Sequence, residues 1–201
     1  MIIYLAGDTY GKVSDFYHKV LQIENATRLT PAWILHAGNF GVFPDPIRID
    51  RQTRLRGEPD FPTLYYQKVQ VPRRTLFVAG KHEDHAWLEL KYSRGEMELL
   101  SGLNWLVNGF KTKIGDSERD LSIVGLGKVF SPTTYNLTGV RNKKSKSHYT
   151  RNEVEKACTQ GPTDILLTHQ TGHGEKIGKF VSDSQGIQKI IYAIRPKLHV
   201  H

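Results

Sequence analysis

The ten residues Thr75-Leu-Phe-Val-Ala-Gly-Lys-His-Glu-Asp84 constrain this chain more than any other stretch. Residues 75–79 are β-branched, aromatic or small and apolar, the pattern of a short strand buried on both faces. Gly80 ends the run, and Lys81, His82, Glu83 and Asp84 follow where a helical pattern begins. In α/β sheets, ligands gather outside the carboxyl ends of the strands. Four ionisable side chains at such a point are either a solvated turn or a site, and the other strand ends decide between them.

Three further apolar runs end in polar clusters. Residues 2–6 predict a first strand, followed by Gly7-Asp8-Thr9-Tyr10-Gly11. A helix comes next, with Val13, Phe16, Tyr17, Val20 and Leu21 at helical spacing and with Ser14 or the preceding turn as its cap. Residues 33–37 predict a second strand, ended by Gly38-Asn39-Phe40-Gly41. The strand–helix–strand order implies a parallel pair with a right-handed crossover. Residues 164–168 predict a buried strand ending at His169, with Gly172-His173-Gly174 in the loop beyond.

The intervening segments are less patterned. Residues 43–74, rich in Pro and Arg, predict a surface excursion holding a short helix. Residues 83–100 have helical composition, broken at Gly95. Asn108-Gly109 is a hairpin turn signal. Residues 121–126 predict a strand, and residues 127–149 a polar loop with the basic run Arg141-Asn-Lys-Lys-Ser-Lys146. Residues 150–157 predict a helix whose Thr150 and Glu153 form a capping box. Ser182 or Asp183 caps a last helix through Ile187, Ile190, Ile191 and Ile194, and residues 196–201 predict a final strand.

Length and composition narrow the class. A chain of 201 residues predicts one domain spanning 1–201. No apolar run approaches the roughly 20 residues of a membrane span, and the first eight residues read as a strand rather than a signal peptide. Cys158 is the single cysteine, which excludes an internal disulfide and suits a reducing cytoplasm. A net charge of +8 favours anionic partners.

Taken in order, Gly7-Asp8-Thr9-Tyr10-Gly11, Gly38-Asn39-Phe40-Gly41, Gly80-Lys81-His82-Glu83 and Leu166-Leu167-Thr168-His169 resemble motifs of the calcineurin-like metallophosphoesterases. That family's pattern is Asp-x-His, Gly-Asp, Gly-Asn-His-Glu, His and Gly-His-x-His. The part from Ile123-Val-Gly-Leu-Gly127 to Thr163-Asp-Ile-Leu-Leu-Thr-His169 is also similar to the lariat-debranching branch of the family. The resemblance spans nearly the whole chain. It implies an α/β fold, a sandwich of two mixed β-sheets flanked by helices. It also implies hydrolysis of a phosphomono- or phosphodiester at a two-metal centre of manganese, iron or zinc, where a metal-bound hydroxide attacks phosphorus. By position, Asp8, Asn39 and His169 are then the metal positions. His82 is the catalytic residue that stabilises charge or protonates the leaving oxygen.

The chain departs from the family pattern at its centre. Tyr10 stands where a metal-binding His is expected, Asn39 replaces the bridging Asp, and Lys81 replaces a ligand Asn. His199-Val-His201 is either the final strand or a degenerate fifth motif. Lys81 and His173 become candidates for holding phosphate, while His18, His36 and His85 read as structural. Two functions follow. One is a metal-dependent phosphoesterase with an incomplete two-metal site; the other is an inactive relative that binds phosphate-containing ligands or nucleic acid, with Arg141, Lys143, Lys144 and Lys146 as phosphate contacts.

Overall fold

Strands that are apolar on both faces need two covers, and the fold supplies them as layers of helix, sheet, sheet and helix. The computed structural model describes residues 1–116, 118–137, 145–172, 174, 176–177, 180–181 and 184–201. One sheet holds β1 (Ile3–Ala6), β2 (Trp33–His36), β3 (Gln70–Phe77) and β4 (Glu98–Trp105) in that order, all parallel. The other holds β5 (Lys111–Gly115), β6 (Asp120–Leu126), β7 (Ile165–Thr168) and, after a short ribbon of β8 (Lys176–Ile177) and β9 (Phe180–Val181), β10 (Leu198–Val200). Its order is β10-β7-β6-β5, with only β5 and β6 antiparallel.

Only one of the two sheets is therefore mixed, against the expectation of two. In the parallel sheet every connection carries helix: α1 (Val13–Thr27), then α2 (Arg51–Leu55) and α3 (Phe61–Tyr66), then α4 (His85–Ser93). Such a crossover returns the chain to the same end of the sheet and makes the next strand parallel. The second sheet has its antiparallel pair where β6 follows β5, with Gly115 opposite Asp120.

Alternate residues along each run enter different layers. Leu35, Leu76, Ile123, Ile165, Leu167 and Val200 fill the space between the sheets. Ile34 and Phe77 face the other way, into a core shared with α1, α3 and α4. Val124 and Leu166 pack against α6 (Arg151–Cys158) and α7 (Gln185–Ile194). Gly125 lets the sheets approach closely, since a Cβ there would stand 2.6 Å from Leu106 Cγ.

Several local expectations change. β3 begins at Gln70 and ends at Phe77, with a register irregularity before Thr75; Val78 and Ala79 lie beyond it, fully buried. The helix after Lys81 stops at Ser93, and residues expected to continue it form β4, because Leu99, Leu100 and Leu103 are needed in the core. Asn108-Gly109 does form a turn, with Gly109 at φ 78°, but it passes the chain from one sheet to the other instead of closing a hairpin. Among its described residues, the 127–149 loop contains α5 (Pro132–Tyr135) and a 3-10 turn at Ser145–Ser147. Arg141, Lys143, Lys144, His173, Ser182 and Asp183 lie outside the described residues. Among the described residues no helix is long and apolar enough to cross a membrane.

The caps divide by reach. The expected capping box of α6 forms, with Thr150 and Glu153 each bonding the other's backbone N–H. The start of α1 has no cap of its own: the Asp60 carboxylate, 47 residues on, accepts from Val13 N at 2.7 Å and from Ser14 N at 2.9 Å. These are two of the donors that every helix start leaves unpaired. Asp60→Ala is expected to lower unfolding free energy by about 1 kcal/mol, measured as a shift in the urea midpoint. An unchanged midpoint would assign the cap no weight.

Candidate functional site at the strand ends

The loops after β1, β2 and β3 meet at one place. Gly38 has φ 102°, and a Cβ on it would lie 2.6 Å from His169 Nδ1 and 2.9 Å from the Gly80 backbone. Asp8, Tyr10 and Asn39 have φ of 60°, 50° and 52°. Asp and Asn tolerate this left-handed region better than other side chains, whereas for Tyr10 it is a strained conformation. The strain is held by a ladder between the two loops: Asp8 N to Gly38 O, Tyr10 N to Asn39 O and Gly11 N to Phe40 O, at 3.1, 2.9 and 2.7 Å.

Two buried polar side chains fix the loops from beneath. Glu83 is 6% exposed. Its carboxylate accepts from Phe40 N, Gly41 N, Val42 N and Gly80 N at 2.7–3.2 Å. Burial raises its pKa to about 7, while those four donors pull the other way. His36 is fully buried, and burial pushes its pKa down to about 3, so it is neutral. Gly38 N donates to its Nδ1, which leaves Nε2–H to donate to Thr9 Oγ1; the Thr9 hydroxyl donates on to Phe40 O.

Asn39, 6% exposed, occupies the middle. Its Nδ2 donates to Asp8 Oδ1 at 2.8 Å and to the Tyr10 hydroxyl at 3.3 Å. Its Oδ1 accepts from Lys81 N at 2.8 Å and His82 N at 3.0 Å. Every hydrogen-bonding position of the amide is thus used within the protein. Burial and the Asp8 charge push the Tyr10 phenol up, so it stays protonated, with the Arg56 guanidinium 5.1 Å from its ring centre. His82 Nδ1 lies 2.9 Å from Asp50 Oδ2. Burial alone would raise Asp50, but the bonds from His82 and Thr53 outweigh it and hold the carboxyl at about 2. His169 Nδ1 donates to Ala37 O at 2.7 Å, so Nε2 carries the ring's lone pair; burial lowers its pKa.

The expected constellation is split between two clefts. Asp8, His169 and His201 line one of about 400 Å3, together with Gly38 and Thr171. Lys81 lines the other, of about 310 Å3, with Arg48, Asp50, His85 and Lys146. Lys81 does not stand beside Asp8 and His169, as its place in the family pattern implied; its backbone bonds Asn39 while its exposed side chain goes to the neighbouring cleft. Its ammonium makes no ion pair or hydrogen bond with the described residues, whereas Arg48 pairs with Asp84 and Lys146 with Glu89. His199 has a structural role: Thr168 donates its hydroxyl to Gln170 O, so His199 Nε2–H donates to Thr168 Oγ1 at 2.8 Å.

These residues do not fit the two-metal centre that the resemblance implies. Asn39 presents no free oxygen lone pair, Tyr10 is a neutral phenol, and among the described residues no group of three or more His, Cys, Asp or Glu is placed to hold a metal ion. Asp50, Arg56 and Asp60 were not singled out from sequence, and Glu83 entered only as a member of the Lys81–Asp84 cluster, without a role. Asp50 has a local signal, as the cap of α2 accepting from Thr53 N.

Glu83→Gln replaces an oxygen by an amine facing backbone N–H groups and is expected to cost about 3 kcal/mol, read from urea unfolding at pH 8; a loss under 1 kcal/mol would refute the keystone role. His36 gives a pH test. Its pKa is about 3 when folded, against 6.5 for an ordinary histidine, so the unfolded chain takes up a proton first. Its contribution is complete above 6.5 and is lost as pH falls toward 3. The stability advantage of the unaltered chain over His36→Gln should therefore narrow between pH 7 and pH 4.5; a constant difference would show that the ring does not titrate this way.

No family model matches this chain, and no curated protein matches it.

Proposed function

We propose that this chain is a calcineurin-like metallophosphoesterase relative that binds a phosphate-containing ligand at its strand ends without hydrolysing it. The observation that carries the reading is the closed hydrogen bonding of Asn39, joined to Asp8, Tyr10, Lys81 and His82 where the family pattern has a bridging carboxylate between two cations. An amide brings no charge to offset two close divalent ions. The two four-stranded sheets flanked by helices support the α/β class of this reading, although one of them is wholly parallel.

Lys81 is the group that takes the ligand. An ammonium offers three donors and a full charge to phosphate oxygens. Arg48, with its side chain 39% exposed beside the same cleft, adds a planar fork of donors. Lys146 at the rim favours a nucleic-acid strand over free phosphate, because it is the last residue of the basic run 141–146 in the sequence. The residues here bind and orient a phosphoryl group. In family members with a complete site, manganese, iron or zinc supplies the activated water.

Inorganic phosphate should bind in chelator with weak, saturable affinity, and Lys81→Ala should weaken it about tenfold, the equivalent of one charged hydrogen bond. Hydrolysis of a model phosphodiester with added manganese should stay at the blank rate in both proteins. Activity is expected only when Tyr10→His, Asn39→Asp and Lys81→Asn are combined and a Gly-His-x-His motif follows residue 201. Manganese-dependent turnover by the unaltered chain, with two ions bound, would overturn the proposal and return the chain to the active enzymes.

A further inference from the structure

We propose that a third cleft, at the carboxyl ends of β4 and β6, binds a planar neutral heterocycle bearing ring carbonyls, of the size of a single nucleobase. The cleft has a volume of about 260 Å3 and lies between α4 and α6. It shares no lining residue with the two clefts around Asn39. The volume is below the roughly 300–1,000 Å3 of sites for larger organic ligands, so the occupant is one ring system.

The walls are aromatic. Tyr92 of α4, Trp105 at the end of β4 and Phe110 line the cleft. Tyr92 and Phe110 meet edge to face at 5.8 Å, and Lys156 Nζ stands 3.1 Å from the Phe110 ring centre. A flat ring gains stacking and edge contacts against such walls whatever its exact substituents.

The polar groups choose among flat rings. Trp105 is 7% exposed, and its indole N–H is buried with no acceptor among the described residues. A buried donor left unmet is costly and calls for an explanation. Lys128, 6% exposed, gives one N–H to Glu153 Oε1 at 2.9 Å, and its remaining donors meet no acceptor among the described residues. Asn108 is satisfied internally: Oδ1 accepts from Gly127 N, and Nδ2 bonds Glu153 Oε1 at 3.1 Å, holding that carboxylate in place. The buried unmet groups are thus donors, while the exposed Asn152 amide on the lining offers a donor and an acceptor, so the ligand must bring acceptors and can also bring an N–H. Each charge on the lining already has a partner: Lys128 pairs with Glu153, Glu89 with Lys146, and Lys156 lies over the Phe110 ring. A carboxylate or an ammonium would find no surplus of opposite charge, whereas ring carbonyls match the donors without adding charge.

The test is a titration of the full chain with uracil, followed through the indole ¹H–¹⁵N resonances. Trp105→Phe assigns its resonance. Trp33, whose indole donates to Gly115 O away from the cleft, is the internal control. A saturable shift at Trp105, with Trp33 unmoved, supports the proposal. Lys128→Met should weaken uracil at least fivefold. Tyr92, 44% exposed, should do the same when changed to Ala, and this variant leaves the core intact if the Lys128 change does not fold. Lys81→Ala should leave uracil binding unchanged, which separates this site from phosphate binding. No saturable shift up to the solubility limit overturns the proposal. So does an equal response to toluene, which would mark an apolar hole only, or unaltered uracil affinity in the folded Lys128 or Tyr92 variant.

Discussion

The Glu83 carboxylate is the contact on which the strand-end region depends. It accepts from Phe40, Gly41 and Val42 in the loop after β2 and from Gly80 in the loop after β3. Each of those N–H groups has left its strand, and none lies in a ladder. Without an acceptor they would be buried donors, so the two loops could not close over the parallel sheet. The glycines complete the approach: a Cβ on Gly80 would lie 2.2 Å from Asn39 N, and one on Gly41 would lie 2.1 Å from Gly11 N. Carboxylate below and glycines between the loops together set the left-handed turns of Asp8, Tyr10 and Asn39.

The same scaffold can present very different chemistry, because the backbone is held from beneath while positions 10, 39 and 81 face the centre or its edge. A carboxylate at 39 would repel Asp8 unless cations lay between them. An amide there donates to Asp8 and closes the gap with a hydrogen bond of 2.8 Å. An Asp at this position would attract cations, whereas the Asn present is satisfied by the protein itself. Lys81 follows the same logic. Its backbone N–H completes the Asn39 amide, and its ammonium turns to the neighbouring cleft with Arg48 and Lys146.

Much of the fold was legible in the chain. Runs such as Leu121-Ser-Ile-Val-Gly-Leu126 are apolar at successive positions because one neighbour faces the other sheet and the next faces a helix. The Thr150–Glu153 box marked α6 because its partners lie three residues apart. Failures came where the deciding contact is distant. Residues 98–100 belong to the segment 83–100 read as helical, yet the open edge beside β3 makes them the start of strand β4. Asn108-Gly109 turns as its chemistry requires, but which strand follows in space is set by the packing of Leu106 between the sheets.

For the site, the sequence by itself determined which residue types stand at the strand ends: the acid at 8, the phenol, amide and cation at 10, 39 and 81 where ligands were expected, and the histidines at 82 and 169. These follow from local order, since a strand end and the loop after it are contiguous in the chain. Tertiary structure alone decided what those residues do. Lys81 and His169 are near neighbours of the same loops yet line separate clefts. Asp60 caps a helix 46 residues away, and Asp50 holds His82 across 32 residues. Directional hydrogen bonds between distant segments exist only once the sheets have brought the loops together, and no periodicity in the chain encodes them.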